Sequence, residues 1–438
     1  MIPFPHKKTP LFYAFLLIVI VGIVLGIFLL KSDSVLNENE VDSTALFKKI
    51  EDPYIAFTLE SYESIKKNYW EAITDEQLSE LFRLALNHVT KETFELSSKD
   101  ELGVQNMITN VLDQKPQDTK KDLTALIVHT VLQNLQPLGR SALYTTVEEK
   151  KLRETVANID SEKNIYDTLS LNTGASIDEV EKAYEEKKKE LEGNTSEEAK
   201  KKLEEIEYAK VVLGDEAKKA QYDENKIEPT VLTEVVSPNI LYMKIPVLSP
   251  QTFNEFIGVS DSITDEKLNT LILDIRGNIG GAIDTLQWFL GPFIGPNQYA
   301  YDFFHQGEYT PYKTQVGWLP SLTKYKRVVI LIDKNSQSSA EVMAATFTKY
   351  NVGILVGEPT KGWGTVENTF PLETKVENTT YSLYLVHSIT LRPDGQPVEG
   401  RGVDPMIYVN DPKWKEQLNV YFNDNKFISA VEKFVNKK

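Results

Sequence analysis

The stretch DKNSQSSAEVMAATFTKYNVGILVGEPTKGWGTV, Asp333 to Val366, decides the fold. The β-branched run Val328 to Ile332 precedes it and predicts a buried strand, and Ala340 to Tyr350 has the composition of a helix. A serine-rich turn between such elements can present a hydroxyl at a helix N-terminus, where the dipole and free N–H groups favour developing negative charge. Ser338 and its neighbours would serve equally well as turn and N-cap residues. The stretch alone leaves both interpretations open.

Neighbouring segments follow the order of motifs in a known family. The apolar strand Leu268 to Asp274 leads into R-G-N-I-G-G, Arg276 to Gly281, and a tail R-P-D-G-Q-P-V-E-G-R-G-V-D-P spans Arg392 to Pro405. Together with the serine turn and the later G-W-G, four motifs over roughly 140 residues resemble the C-terminal-processing, or tail-specific, serine proteases. The resemblance implies an α/β (α+β) fold with a mixed protease core of the ClpP/crotonase-like type at 229–410. It also implies an activity that requires no cofactor.

The resemblance assigns roles to individual residues by their positions in the motifs. Ser338 matches the nucleophile of the family, and Glu341 matches the acid that supports it. The N–H of Gly280 or of Gly281, with the N–H of Ser339, matches the oxyanion hole. Paired glycines suit that position because they permit positive φ and a close approach of the backbone.

One position departs from the family, and it is the position of the general base. The family has a lysine between two glycines, whereas this chain has Trp363, and an indole N–H is a donor that cannot accept a proton. Lys361 lies two residues earlier, and in an extended segment the two residues share a face about 6.6 Å apart. Burial could hold such an amine neutral enough to act as a displaced base. A solvated loop lysine is the alternative interpretation of Lys361.

A second route to a base is also closed in this sequence. The segment Gln136 to Glu149 resembles a turn of the family in which some relatives carry a catalytic histidine just before a serine. Here Arg140 precedes Ser141, and a guanidinium cannot serve as a base because it remains protonated.

Two functions are consistent with these residues. The first is a membrane-anchored extracytoplasmic serine endopeptidase that hydrolyses peptide bonds in protein substrates through Ser338 and Lys361. The alternative is an inactive pseudoprotease that binds or scaffolds polypeptides, in which Trp363 fills the lost base position. The aromatic stretch Trp288 to Tyr325 could line a groove for peptide side chains, or it could form ordinary core. The retained serine, glutamate and glycines favour the enzyme at this stage.

The N-terminus predicts a single transmembrane helix. Leu11 to Leu30 is uncharged, and twenty residues at about 1.5 Å rise cover about 30 Å, the thickness of a bilayer core. Basic residues before it and acidic residues after it predict a cytoplasmic tip and an extracytoplasmic bulk at the cell membrane. Residues 1–32 are thus the tip and anchor, and 33–43 a tether. A cleaved signal peptide is the alternative.

Composition restricts the remaining functions. A chain of 438 residues predicts two to three domains, and a net charge of −16 disfavours nucleic acid as a partner. The absence of cysteine excludes disulfides and thiolate metal sites, and the five histidines lack the spacing of a metal motif.

The regions on either side of the core predict helices. Residues 44–160 have helical periodicity. The pattern of residues 411–438 predicts a C-terminal helix, which either packs on the N-terminal helices or pairs with a second chain in a homodimer. Residues 161–228, where the family usually has a PDZ domain, resemble a J-domain in I-Y-D-T-L-S-L, S-I-D-E-V-E-K-A-Y and K-K-A-Q-Y-D. The His-Pro-Asp tripeptide of J-domains is replaced by Glu192, Gly193 and Asn194, so no Hsp70 partner is expected.

Overall fold

The computed structural model describes residues 51–157, 159, 163–194 and 196–436. The predicted transmembrane segment Leu11 to Leu30 and the tether lie outside these residues. Within them, none of the helices combines the length and hydropathy needed to cross a bilayer. The described part is a mixed α/β fold with a helical N-terminal region, which confirms that part of the predicted fold class.

Four helices build the N-terminal region, and side chains cap the N-termini of the first three. They are α1 (Pro53–Asn68), α2 (Asp75–Thr90), α3 (Glu101–Leu112) and α4 (Gln117–Asn134). The Asp52 carboxylate accepts the N–H groups of Tyr54 and Ile55, and Thr74 forms a capping box with Gln77. Their apolar faces pack together in a core that includes the buried rings of Phe57, Tyr62 and Phe82.

The sequence predicts helices for residues 44–160, but the described part of this region also contains one strand. Strand β1 (Ala142–Thr145) follows α4 and pairs antiparallel with β10 (Tyr381–Leu391), and α5 (Thr146–Val156) comes next. The ring of Tyr144 stacks on that of Tyr384 at a centroid distance of 5.1 Å. This cross-strand pair joins the N-terminal region to the core. The sequence does not predict β1 as a strand, because four residues are too few for a periodic pattern.

The J-domain-like region forms a small helical module. Its helices are α6 (Ile165–Thr168), α7 (Ile177–Leu191), α8 (Glu197–Leu213) and α9 (Glu216–Asn225). Ser176 and Glu179 form the predicted capping box at the start of α7. The module has its own apolar core, in which Tyr166, Val180 and Leu213 are fully buried.

A central sheet carries the core. Its strand order is β11-β8-β7-β4-β3-β2, with β2 antiparallel and the others parallel. The strands are β2 (Leu232–Ser237), β3 (Ile240–Lys244), β4 (Thr270–Asp274), β7 (Arg327–Ile332), β8 (Ile354–Gly357) and β11 (Ile407–Tyr408). Strands β4 and β7 are apolar almost throughout because both faces of the parallel part are covered.

A second sheet is antiparallel. It has the order β1-β10-β5-β6. Strand β9 also pairs with β10, outside this order. The remaining strands are β5 (Tyr299–His305), β6 (Glu308–Lys313) and β9 (Thr365–Pro371). Helices α10 (Pro250–Ser262), α11 (Ile283–Ile294), α12 (Pro320–Thr323) and α13 (Ser339–Lys349) form the helical part of the core.

The aromatic stretch is not a loop. It contains the end of α11, strands β5 and β6, and α12. Phe289 and Tyr301 are fully buried, whereas Trp318 is 63% exposed. Most of its aromatic residues therefore belong to the hydrophobic core, which favours ordinary core over a groove for peptide side chains.

The C-terminal segment forms two helices instead of one. Helix α14 (Trp414–Phe422) ends at Asn423, whose left-handed φ of 46° reverses the chain, and Asp424 caps α15 (Asn425–Asn436). Phe434 stacks on Tyr242 of β3 at 3.8 Å. The hairpin thus packs on the central sheet of its own chain and not on the N-terminal helices.

A pair of imidazoles lies where β5 meets β10. The rings of His305 and His387 are parallel within 9° at 4.3 Å, and His305 Nδ1 lies 2.6 Å from the carbonyl oxygen of His387. Burial and the neighbouring His305 together lower the pKa of His387. The folded state therefore favours the neutral ring more than the unfolded chain does.

We predict that the free energy of unfolding decreases as pH falls below the ordinary histidine value of 6.5, because the unfolded chain then binds protons that His387 in the fold resists. His387→Gln should flatten this part of the profile, measured by urea unfolding over a pH series. His88→Gln, at an exposed position on α2, is the control and should leave the slope unchanged. Equal slopes for the wild type and H387Q would contradict the prediction.

Candidate active site

A tight turn between β7 and α13 builds the site. The Asp333 carboxylate accepts the N–H groups of Gly277 and Ser336, both at 2.9 Å. Ser336 Oγ donates to the carbonyl oxygen of Ile275 at 2.8 Å. The serine turn and the glycine turn are thereby fastened to each other.

Ser338 stands at the N-terminus of α13 in a strained conformation. Its φ of 57° and ψ of −130° lie in a region that residues with a Cβ rarely adopt, at a cost of about 1–3 kcal/mol. The neighbours maintain it, because Ser338 N–H donates to Glu341 Oε2 at 2.9 Å while its carbonyl accepts Glu341 N–H at 2.8 Å. The half-buried hydroxyl is therefore presented at a helix N-terminus, as the sequence predicts.

The two glycines of the predicted oxyanion hole differ in their hydrogen bonding. Gly280 N–H donates to Asn278 Oδ1 at 2.8 Å and is occupied. Gly281 N–H and Ser339 N–H donate to no other residue in the described part of the chain. A Cβ built on Gly280 would lie 2.6 Å from Ser338 Cβ, so the glycine turn and the serine are in close contact. Of the two glycines, only Gly281 has a free donor.

Glu341 connects the serine turn to the G-W-G segment. It is fully buried, and its Oε1 accepts Gly362 N–H at 2.7 Å and the Thr360 hydroxyl at 2.5 Å. Its Oε2 accepts Trp363 N–H at 2.7 Å in addition to Ser338 N–H. Burial raises the pKa of Glu341, and these four hydrogen bonds oppose that shift. The carboxylate thus holds residues 360–363 against the start of α13.

The geometric premise for Lys361 as a displaced base is wrong. Gly362 has φ of 78°, so the segment is not extended and Lys361 does not share a strand face with Trp363. The exposed Lys361 Nζ donates to Gln337 Oε1 at 2.5 Å and lies 4.7 Å from the centroid of the Trp363 ring. The amine is bound to the residue next to Ser338, and its role as the base stays a prediction.

Trp363 is fixed from several directions. The Arg140 guanidinium lies 3.5 Å from the centroid of the indole, and the indole Nε1 donates to Glu367 Oε1 at 3.0 Å. The lysine position and the histidine position of the family therefore hold two residues that stack on each other. Sequence reasoning examined each position alone and missed the pair, and it also missed Glu367 and Glu399. Among the described residues no group of His, Asp and Glu is arranged to hold a metal ion.

We predict that Gly281→Ala destabilises the fold by about 2–4 kcal/mol, because a left-handed φ and overpacking combine. Its φ is 137°, and a Cβ would lie 1.9 Å from the carbonyl oxygen of Leu248. Gly277→Ala is the matched control, since its φ is 67° but no atom lies within 4 Å of its Cβ. That variant should lose only about 1–2 kcal/mol. Chemical unfolding of both variants measures the difference, and equal losses would contradict the steric argument.

Comparisons with known proteins identify two regions of the chain. Residues 239–409 match the model of peptidase family S41, and residues 164–223 match the DnaJ domain. The carboxy-terminal processing protease CtpB of Bacillus subtilis is 25% identical over 202 residues, which cover 44% of this chain and 40% of that protein. CtpA of the same organism is 27% identical over 186 residues, 42% of this chain and 38% of that protein. Both resemblances drawn from the sequence are confirmed.

The matches are partial. The aligned region spans about 40% of the length of these curated relatives. A solved photosystem II D1 C-terminal processing protease is 13% identical with a TM-score of 0.48, covering 81% of this chain and 93% of that chain.

Proposed function

We propose that this chain, which carries a peptidase S41 domain at residues 239–409, is a pseudoprotease that binds polypeptide segments at the Ser338 turn without cleaving them. One observation carries the proposal. Trp363 occupies the position of the family's lysine and is stacked on Arg140, which occupies the position of the histidine found in some relatives.

Neither residue can take the proton of the Ser338 hydroxyl. A serine nucleophile requires a base within hydrogen-bond reach, about 2.6–3.2 Å. The indole N–H of Trp363 is a donor and is already bound to Glu367, while a guanidinium stays protonated. Lys361 donates to Gln337 in the resting structure. The described site therefore supplies no base in contact with Ser338.

The features suited to holding a peptide remain. The free N–H groups of Gly281 and Ser339 lie beside the N-terminus of α13, where a peptide carbonyl or carboxylate would be stabilised. Ile279, which precedes these glycines, is 42% exposed and offers an apolar contact. A polypeptide is the ligand that fits, and the relatives are named for processing carboxy-termini.

A specific contact favours a second candidate, a serine endopeptidase that uses Lys361. Its Nζ is bound to the side chain of Gln337, the residue next to Ser338. Rotation of this exposed lysine side chain would require that the hydrogen bond to Gln337 and the contact with the Trp363 ring break. The strained conformation of Ser338 is also the kind that clusters at active sites.

The anchor and the partners belong to the same proposal. The length and charge flanks of Leu11 to Leu30 support a single-pass membrane anchor with the bulk of the chain outside the cytoplasm. The missing His-Pro-Asp tripeptide supports a J-domain-like module that acts in recognition or architecture and not with Hsp70.

We predict that the purified full chain binds an unstructured fluorescent peptide but cleaves it no faster than Ser338→Ala does. Anisotropy measures binding, and product formation measures cleavage. Trp363→Lys should introduce an amine at the base position and produce cleavage that Ser338→Ala abolishes in the double variant. Trp288→Lys, at an exposed tryptophan on α11, is the control and should remain inactive.

Cleavage of the peptide by the wild type would contradict the pseudoprotease proposal. If the wild type cleaves the peptide, and Ser338→Ala and Lys361→Ala each abolish the cleavage, the endopeptidase replaces the pseudoprotease. If the wild type neither binds nor cleaves a panel of unstructured peptides, both proposals are wrong.

A further inference from the structure

Arg140 reaches the candidate site from the N-terminal region. It lies in the turn between α4 and β1, and its side chain is only 18% exposed. Its Nη2 donates to Glu399 Oε1 at 3.0 Å, and Glu399 is 16% exposed. The guanidinium also covers the ring of Trp363 at 3.5 Å, and its Nε has no hydrogen-bond partner among the described residues. The stack and one ion pair are thus its main contacts.

Glu399 and Glu367, the two carboxylates near Arg140, contact residues 363–365, which include the end of the G-W-G motif. Glu399 Oε2 accepts Gly364 N–H at 2.7 Å. Glu367 Oε1 accepts the indole N–H of Trp363 at 3.0 Å and the hydroxyl of Thr365 at 2.5 Å. Burial raises the pKa of Glu367, and the hydrogen bonds from Thr365 and Trp363 and, to a smaller extent, the charge of Arg140 oppose that shift. The Arg140 guanidinium therefore lies among the groups that fix residues 363–365.

The same segment is held on its other side by the active-site turn. Glu341 accepts the N–H groups of Gly362 and Trp363, and Glu399 accepts that of Gly364. Consecutive amides are therefore bound by two carboxylates that belong to different parts of the fold. Arg140 is paired with the second of these carboxylates and is supplied by the N-terminal region.

We propose that Arg140 is a positioning residue through which the N-terminal region fixes Trp363 and the adjoining wall of the candidate site. Without the guanidinium, Glu399 is left buried without its cation and the indole loses the group on its face. The order of residues 362–365 then depends more on Glu341 and on the remaining contacts of Glu367 and of an unpaired Glu399. The peptide-binding part of this inference rests on the proposed function, whereas the positioning of residues 362–365 does not.

Residue-resolved amide hydrogen exchange of the full chain tests the positioning directly. In Arg140→Ala, the amides of Trp363 and Gly364 should exchange at least tenfold faster, while those of α2 and of β4 keep the wild-type rates. Arg153→Ala is the matched control, because the exposed Arg153 pairs with a largely buried glutamate, Glu149, on its own helix α5 and should change neither set. Uniformly faster exchange across the fold, or unchanged exchange at both amides, would overturn the proposal.

Conservative variants separate the stack from the ion pair. Arg140→Lys keeps the charge beside Glu399 but loses the planar stack, so Gly364 should stay protected while the emission of Trp363 shifts to longer wavelength. The shift is assigned by its absence in a Trp363→Phe background. Glu399→Gln serves if Arg140→Ala does not fold, and it should accelerate exchange at Gly364 more than at Trp363. No emission change in R140K, or equal exchange at the two amides in E399Q, counts against the proposal.

Peptide binding provides the functional readout. Arg140→Ala should weaken the affinity of the fluorescent peptide at least tenfold, with Arg153→Ala unchanged. If the wild type binds no peptide, the proposed function fails while the exchange data still decide the role of Arg140. If R140A shows the local exchange change but wild-type affinity, Arg140 positions Trp363 without shaping the binding site, and the inference is wrong in that part.

Discussion

The buried carboxylate of Glu341 is the interaction on which the site depends. It accepts hydrogen bonds from Ser338, Thr360, Gly362 and Trp363 while fully removed from solvent. An unsatisfied buried carboxylate would be strongly unfavourable, so these four donors must be brought to it by the fold. The strained Ser338 and the irregular path through Gly362 are both consequences, because each conformation aims an N–H at the same group.

This role explains how the residues of a protease motif can be retained for a reason other than catalysis. The presence of Ser338, Glu341 and the glycines looks from the sequence like an argument for catalysis. In the structure, Glu341 is required to join two loops, and Gly281 is required because Leu248 leaves no space for a Cβ. Their retention is accounted for by architecture. Their retention therefore does not distinguish an enzyme from a binding protein.

The sequence predicts the core well because its motifs lie at the ends of strands. The apolar runs that become β4 and β7, the turn at Ser338 and helix α13 all have local signals. Strand β1 and the two-helix C-terminus lacked such signals, since one is four residues long and the other depends on the left-handed φ of a single asparagine. The path of Lys361 depends likewise on the φ of Gly362, which no side-chain pattern encodes.

The stack of Arg140 on Trp363 could not be predicted for a different reason, because its partners are far apart in the chain and meet only in the fold. Its chemistry is also informative. Burying a guanidinium with carboxylates requires their desolvation, and apolar residues of similar volume would often give an equally stable core. A planar cation on an indole face instead specifies one orientation of the ring. The cluster is thus better explained by the position it imposes on Trp363 than by the stability it adds to the fold.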